Sequence, residues 1–229
     1  MKSFVSLGPT CVPAEILKAS GLRTCSFGFD WARSGSVHLQ NFMSMELSSF
    51  LDCNVFRPCI ELQQWLSPTD SSVNTGDVRP RTIKYGFQYY YNPHRDLRLK
   101  KTHEYLRRSF SRLGSVMTDK SCEKVFVLSD YINKQHCEFL DKKDISEFLE
   151  ETLDPVIGDY SIVIIRIRLI NDISYRDMMV TKDRKGDRIQ LFTVELPQSS
   201  DEESVRSHTY RLIGKKVFGN VSNDVLWRE

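Results

Sequence analysis

Short apolar runs, interrupted by turn residues, predict the strands of this protein. The first run is Phe4, Val5 and Leu7, and it ends at Gly8 and Pro9. A continuous apolar run at residues 124–130 predicts a buried strand, and residues 161–170 begin as a buried strand and then alternate. Residues 188–196 are also predicted to form a strand. We predict another strand at residues 208–219, and an extended aromatic segment that begins at Ile83 and ends at Asn92 and Pro93, which leaves His94 just past a strand end.

Apolar residues at helical spacing predict the helices that separate these strands. The first helix carries Ala14, Ile16 and Leu17 on its apolar side and ends at Gly21, where a positive φ closes the last turn. Further helices are predicted at residues 36–52, 99–117 and 144–154. Because helices and strands alternate up to about residue 170 and strands dominate afterwards, we predict an α/β fold with a mixed sheet flanked by helices.

The length of the chain favours a single domain. A chain of 229 residues has room for one ordinary domain with a large core, so we predict a single globular domain over residues 1–229. Residues 66–82 are rich in Ser, Pro, Asp and Gly, which predicts an exposed loop or a lid.

Charge and hydropathy exclude several functional classes. The formal net charge is only +2, so no overall field favours a specific nucleic-acid partner. No stretch is long enough for a membrane span, since Arg166 and Arg168 interrupt the longest apolar run. The N-terminal run is too short for a signal peptide, and we therefore expect a cytoplasmic protein.

The cysteines do not form a metal or disulfide pattern. Six are present, at positions 11, 25, 53, 59, 122 and 137, without any Cys-x-x-Cys spacing. The adjacent His136 and Cys137 do not provide the paired ligands of a zinc site. We expect reduced thiols, no bound metal and no cofactor.

One of these cysteines stands at the joint between the first strand and the first helix. The leading N–H groups of a helix lack internal partners, so a Cys11 thiolate would be stabilised there and its pKa lowered. Thr10 is the predicted N-cap, Pro13 is tolerated in the first turn, and Glu15 suits the positive end of the helix dipole. The alternative is that Cys11 is a small apolar residue buried for packing alone.

Three groups of residues form a pattern that resembles the sequences of a known family. They are Ser6, Leu7, Gly8 and Cys11 at the start, then Phe29, Asp30 and Trp31, and then His94 in the aromatic context YYYNPHRDL. This pattern resembles a family of bacterial and viral proteins described as papain-like cysteine peptidases, the domain of unknown function 1796. The resemblance implies a hydrolase that acts on an amide or ester bond, and it makes a papain-like α+β arrangement the alternative fold.

The resemblance also suggests a role for each residue. Cys11 would be the nucleophile, His94 the base, and either Asp30 or Asp130 the residue that orients the imidazole. Asp30 could instead cap a turn in the aromatic loop. The substrate would be a peptide, an acyl compound or a glycan-related molecule, and the candidate binding residues are Gly8, Thr10, Trp31, Arg33, Asn92 and Arg95.

Two other functions use the same residues differently. A strand, a glycine-containing turn and a helix N-terminus can hold a phosphate, so a glycosyltransferase with a nucleotide-sugar donor is the first alternative. Arg33 and Arg95 could then contact phosphate. No dinucleotide fingerprint or P-loop motif occurs in the chain. The second alternative is a binding module without catalysis, in which Cys11 is inert.

Overall fold

The fold was analysed in a computed structural model of the chain. The structure describes residues 2–8, 10–31, 82–85, 88–91, 100–131, 159–170, 179–185, 188–197 and 203–219. In chain order the elements are β1 (Lys2–Ser6), α1 (Val12–Ala19), β2 (Thr82–Tyr85), β3 (Gln88–Tyr91), α2 (Lys100–Thr118), β4 (Glu123–Tyr131), β5 (Tyr160–Ile170), β6 (Met179–Lys185), β7 (Ile189–Pro197) and α3 (Glu203–Phe218).

The strands form one mixed sheet and one hairpin. The sheet has five strands in the order β1-β4-β5-β7-β6. β1, β4, β5 and β7 are parallel to their neighbours, whereas β6 is antiparallel to β7. β2 and β3 pair with each other in antiparallel fashion. The predicted α/β fold with a mixed sheet and flanking helices is confirmed.

Two helices pack together on one face of this sheet. α1 and α3 contact each other, and α1 contacts both β1 and β4. The apolar cluster on this face joins residues of α1, α3 and four strands: Phe4, Val12, Ile16, Leu17, Val125, Val127, Val163, Ile165, Phe192, Val194 and Ile213. Each apolar side chain of this size stabilises the fold by about 1.5–3 kcal/mol when fully buried.

The opposite face of the sheet is buried as well. Phe126 and Leu128 alternate with the residues of the first cluster along β4, and both are fully buried. α2 also has a buried apolar side, and its Phe110 ring lies edge-on to Phe29 at a centroid distance of 5.2 Å. The Arg112 Nε donates a 2.9 Å hydrogen bond to the Ser26 carbonyl. α2 is therefore attached to the aromatic loop that follows α1.

The C-terminal segment differs from its sequence-based prediction. Residues 208–219 were predicted as a strand but belong to α3, which begins at Glu203. Tyr210, Ile213 and Val217 lie three and four residues apart, which is helical spacing, and they pack against the α1 face of the sheet. Contact with α1 stabilises the helix, although its β-branched and aromatic residues also suit a strand.

The remaining predicted elements fall in different parts of the chain. The strands at residues 124–130, 161–170 and 188–196 and the helix at 99–117 are confirmed within one or two residues. The helices predicted at 36–52 and 144–154 lie outside the described residues, as does the proposed loop up to residue 81. Within the described part of the chain, no helix has the length and apolarity that a membrane crossing requires.

Candidate active site

The candidate nucleophile lies in the turn between β1 and α1, at the carboxyl edge of the parallel strands. β1 continues past Ser6 through a hydrogen bond from the Leu7 N–H to the Val127 carbonyl, at 3.0 Å. Gly8 then turns the chain with a φ of 87°, in the left-handed region that favours glycine. α1 begins at Val12, so Cys11 follows the turn directly.

Cys11 itself occupies the N-cap position of α1. Its backbone has a φ of −74° and a ψ of −9°, and its carbonyl accepts the first helical hydrogen bond, from the Glu15 N–H at 3.0 Å. The side chain is half-buried and makes no capping hydrogen bond to the helix. The helix boundary falls one residue after the predicted N-cap, Thr10, but the side-chain capping hydrogen bond is made by Thr10.

Thr10 still satisfies one of the helix donors. Its Oγ1 accepts a hydrogen bond from the Val12 N–H at 3.2 Å. The same oxygen lies 3.0 Å from the Ser129 Oγ, with either hydroxyl as the donor. The Ser129 N–H also donates to the Gly8 carbonyl at 3.2 Å. The turn that carries Cys11 is thus attached to the end of β4 through both side chains and backbone.

The ends of α1 carry the residues that the sequence predicts for helix termini, and its first turn offers fewer backbone donors than an ordinary helix start. Glu15 lies in the first turn, as expected at the positive end of the dipole, and Gly21 ends the helix region with a φ of 70°. Pro13, also in this turn, has no N–H to offer. Because Thr10 accepts from Val12, two of the leading positions have no available donor.

Asp30 lies deep in the aromatic loop and is bound to Arg23. Its Oδ2 accepts hydrogen bonds from the Arg23 Nη2 at 2.7 Å, the Arg23 Nε at 3.1 Å and the Phe27 N–H at 3.0 Å. The residue is 1% exposed, and its Oδ1 has no hydrogen-bond partner among the described residues. Asp30 therefore organises the loop from Arg23 to Phe27, as the turn-capping interpretation expected.

Burial controls the ionisation of Asp30. Desolvation raises the pKa of the Asp30 carboxyl to about 6, whereas the Arg23 guanidinium and the Phe27 N–H act in the opposite direction. The neighbouring Cys25 is half-buried, and burial likewise raises the pKa of its thiol. Cys25 consequently lacks the environment of a reactive cysteine.

Of the other candidate residues, some lie in the described part of the chain and others lie outside it. The Arg23 guanidinium lies 5.2 Å from the centroid of the Trp31 ring, so Trp31 belongs to the same loop as Asp30. Asp130 directly follows Ser129 in β4, and its Cα pairs in register with that of Arg166. The residues that fall outside the described part of the chain are Arg33, Asn92, His94 and Arg95.

Ser129 and Arg23 were not identified from the sequence. Ser129 stands at the end of a buried apolar strand, and a polar residue at the carboxyl end of a parallel strand is a signal of a site. Arg23 lies in the sequence between the motif residues Cys11 and Asp30, but nothing in its spacing indicates a pairing with Asp30. The contact of Ser129 with Thr10 and the contact of Arg23 with Asp30 form only when the turns on either side of α1 are folded.

The described residues give no sign of a metal or a disulfide. No group of three or more His, Cys, Asp or Glu side chains among them could hold a metal ion. Cys11, Cys25 and Cys122, the cysteines in the described part of the chain, form no disulfide.

The chain was compared with known protein families, curated proteins and solved structures. A family model described as "Putative papain-like cysteine peptidase (DUF1796)" matches residues 2–167. No curated protein and no solved structure matches the chain. The matched range includes the Cys11 turn and α1, and it ends inside β5. Because it covers well over half of the 229 residues, the chain belongs to the DUF1796 family, the family that carries this description.

Proposed function

We propose that the protein is a cysteine-nucleophile hydrolase that cleaves an amide or ester bond by papain-like chemistry. The observation that carries this proposal is the position of Cys11 at the N-cap of α1, in a turn at the carboxyl edge of the parallel strands. A thiolate is stabilised at a helix N-terminus, and the Cys11 side chain is only partly buried in this turn. The family assignment supports the same chemistry.

The reaction would follow the usual order of covalent catalysis. The Cys11 thiolate attacks the carbonyl carbon, and the negative charge that develops on the carbonyl oxygen is stabilised by the backbone N–H groups near the helix start other than those of Val12, which Thr10 binds, and Pro13, which has none. Protonated His94 gives its proton to the leaving amine or alcohol as the bond to carbon breaks. Water then attacks the thioester, His94 takes the proton of that water, and the thiolate is released with a carboxylic acid.

Either Asp30 or Asp130 would orient the imidazole of His94. Asp130 follows Ser129 near the carboxyl end of β4, the sheet edge that carries the nucleophile turn. Asp30 has one carboxyl oxygen engaged by Arg23 and Phe27, and only its Oδ1 could accept from an imidazole. The variants Asp130→Asn and Asp30→Asn distinguish the two candidates. The variant that lacks the orienting carboxylate would acylate more slowly, although its thiol remains in place.

The test is the pH dependence of alkylation by iodoacetamide, with each modified cysteine identified by peptide mass. We expect Cys11 to react rapidly below pH 7, because a thiolate at a helix start has a pKa below the ordinary value of about 8.5. Cys25 is an internal reference, since it is also half-buried and burial raises its pKa. A profile for Cys11 that matches an ordinary or buried thiol would contradict the proposal.

The histidine is tested by replacement. We expect His94→Ala to remove the reactivity of Cys11 at acidic pH, because the imidazolium no longer stabilises the thiolate. His208→Ala is the matched control, since His208 lies on the exposed side of α3. An unchanged Cys11 profile in His94→Ala would exclude His94 as the partner of the thiolate.

The nucleotide-sugar alternative is less well supported at this turn. A phosphate at a helix start needs several available N–H groups, yet the Val12 N–H is bound by Thr10 and Pro13 has none. A glycosyltransferase would show thermal stabilisation by a nucleotide-sugar and little effect of Cys11→Ala. A binding module without catalysis would show neither this stabilisation nor a reactive thiol.

A further inference from the structure

Hydroxyl groups lie on the otherwise apolar face of the sheet that α1 covers. Along β4, Val125 and Val127 belong to the apolar cluster, and the next residue on that face is Ser129, which is fully buried. In β1, Ser6 follows Phe4 on the same face and is 1% exposed, and its Oγ has no hydrogen-bond partner among the described residues. Buried hydroxyls cost free energy unless they form hydrogen bonds, so their presence here requires a reason.

The hydrogen bonds of Ser129 suggest that reason. The Ser129 Oγ lies 3.0 Å from the Thr10 Oγ1, which in turn accepts from the Val12 N–H at 3.2 Å. Cys11 is the residue enclosed between Thr10 and Val12. A continuous chain of hydrogen bonds therefore runs from β4, through the Thr10 side chain, to the first residue of α1.

We propose that Thr10 and Ser129 are positioning residues that hold Cys11 at the N-cap of α1 in the orientation that stabilises its thiolate. The inference rests on the proposed function, because it concerns the thiolate that would act as the nucleophile. Neither hydroxyl reacts. They fix the turn between a rigid strand and the helix, so that the Cys11 side chain keeps one direction relative to the helix N–H groups.

The orientation of the Cys11 side chain matters because the first turn of α1 offers few backbone donors. An N-cap side chain accepts a hydrogen bond from the second or third residue of the helix. The second residue is Pro13, which has no N–H, so Ala14 carries the one remaining donor of this kind. A thiolate with a single available donor loses its stabilisation when the turn rotates, whereas a helix start with two donors would tolerate some rotation.

The experiment compares alkylation of Cys11 in the wild-type chain and in Thr10→Val, which keeps the shape of the side chain and removes the hydroxyl. We expect alkylation at pH 6 to be about 2- to 5-fold slower in Thr10→Val, which corresponds to losing an interaction of ordinary helix-terminus strength. At pH 10, where the thiol is ionised in both proteins, the rates should agree within about twofold. Such a pair of results means that the pKa of Cys11 has risen while its exposure has not changed.

Other variants separate positioning from a general structural effect. Ser129→Ala removes the other hydroxyl and should slow the pH 6 reaction in the same way, which provides a second test if one variant fails to fold. Thr10→Ser keeps the hydroxyl and should restore the wild-type profile. Ser109→Ala is the matched control, since Ser109 is also fully buried and donates one hydrogen bond, to the Leu106 carbonyl at 2.9 Å, but lies in α2.

The outcomes distinguish this inference from the proposed function. If Cys11 is acidic in the wild-type chain and the Thr10→Val profile superimposes on it, the positioning role is wrong and the nucleophile assignment stands. If the wild-type Cys11 titrates as an ordinary thiol, both are wrong. An equal loss of rate at pH 6 and pH 10 also overturns the positioning role, because it reports a change in exposure rather than in pKa.

Discussion

Replacing Gly214 by alanine tests the contact between α1, which carries the candidate nucleophile at its start, and α3. A Cβ at position 214 would lie 1.7 Å from the Ser20 Oγ and 2.9 Å from the Ser20 Cβ. Ordinary van der Waals contacts between such atoms are about 3.5–4.0 Å. The variant therefore forces either Ser20 or one of the two helices to move.

The energetic cost can be derived from these distances. If Ser20 rotates, it loses the 2.7 Å hydrogen bond from its Oγ to the Ile16 carbonyl, which costs about 1 kcal/mol. Rotation leaves the short contact to the Ser20 Cβ, and overpacking of this kind costs about 1–3 kcal/mol. Alanine is better than glycine within a helix by about 1 kcal/mol, which offsets part of the loss. We therefore expect Gly214→Ala to lower the free energy of unfolding by about 1–3 kcal/mol.

Urea denaturation followed by far-ultraviolet circular dichroism measures this loss. The double variant Ser20→Gly with Gly214→Ala removes the side chain that the new Cβ meets, so it should be more stable than the sum of the two single effects predicts by about 1 kcal/mol or more. If Gly214→Ala is as stable as the wild-type chain, or if the two effects are additive, α3 does not approach α1 at Ser20 and the packing described for these helices is wrong.

Three further predictions concern the loop after α1 and the core. Gly28→Ala should destabilise the fold by about 1–3 kcal/mol, because its Cβ would lie 2.2 Å from two ring atoms of Phe110; urea denaturation should show partial relief when Phe110→Leu is added, and additive effects would refute the contact. Ile213→Ala should cost about 2–5 kcal/mol in the same assay, since Ile213 is fully buried in the cluster under α1 and α3; a loss below about 1 kcal/mol would contradict its burial. Because burial raises the pKa of Asp30 from 3.8 to about 6, the contribution of this carboxyl to stability is fully present below about pH 4 and is lost as the pH rises through about 6. The wild-type chain should therefore lose up to about 3 kcal/mol relative to Asp30→Asn between pH 3.5 and pH 7.5, and a constant difference between the two proteins would show that the pKa of Asp30 is not raised.

The outline of the fold and the position of Cys11 could be predicted from local patterns. Continuous apolar runs identified β4 and the first part of β5, because a strand buried on both faces has apolar residues at successive positions. Gly21 marked the end of the first helix, since only glycine adopts a positive φ without strain. Each of these signals is a pattern of residue types within a short segment. Such a pattern reflects either the local backbone geometry or the expected burial of neighbouring residues.

The C-terminal helix shows where local patterns fail. Residues 208–219 contain apolar residues compatible with either a strand or a helix, and intrinsic propensities differ by less than about 1 kcal/mol per residue. The contact of Ile213 and Gly214 with α1 favours the helix, and that contact joins segments almost two hundred residues apart in the chain. No pattern within residues 208–219 contains this information.

The same distinction applies to the candidate active site. A cysteine at a strand-to-helix joint follows from the order of residues 4–21, because the joint and its helix start are local structure. The attachment of Thr10 to Ser129 and the pairing of Asp30 with Arg23 depend on side-chain distances set by strand register and loop packing. A hydrogen bond requires its atoms to be placed within a few tenths of an ångström, and a linear sequence specifies such placement only through the complete fold.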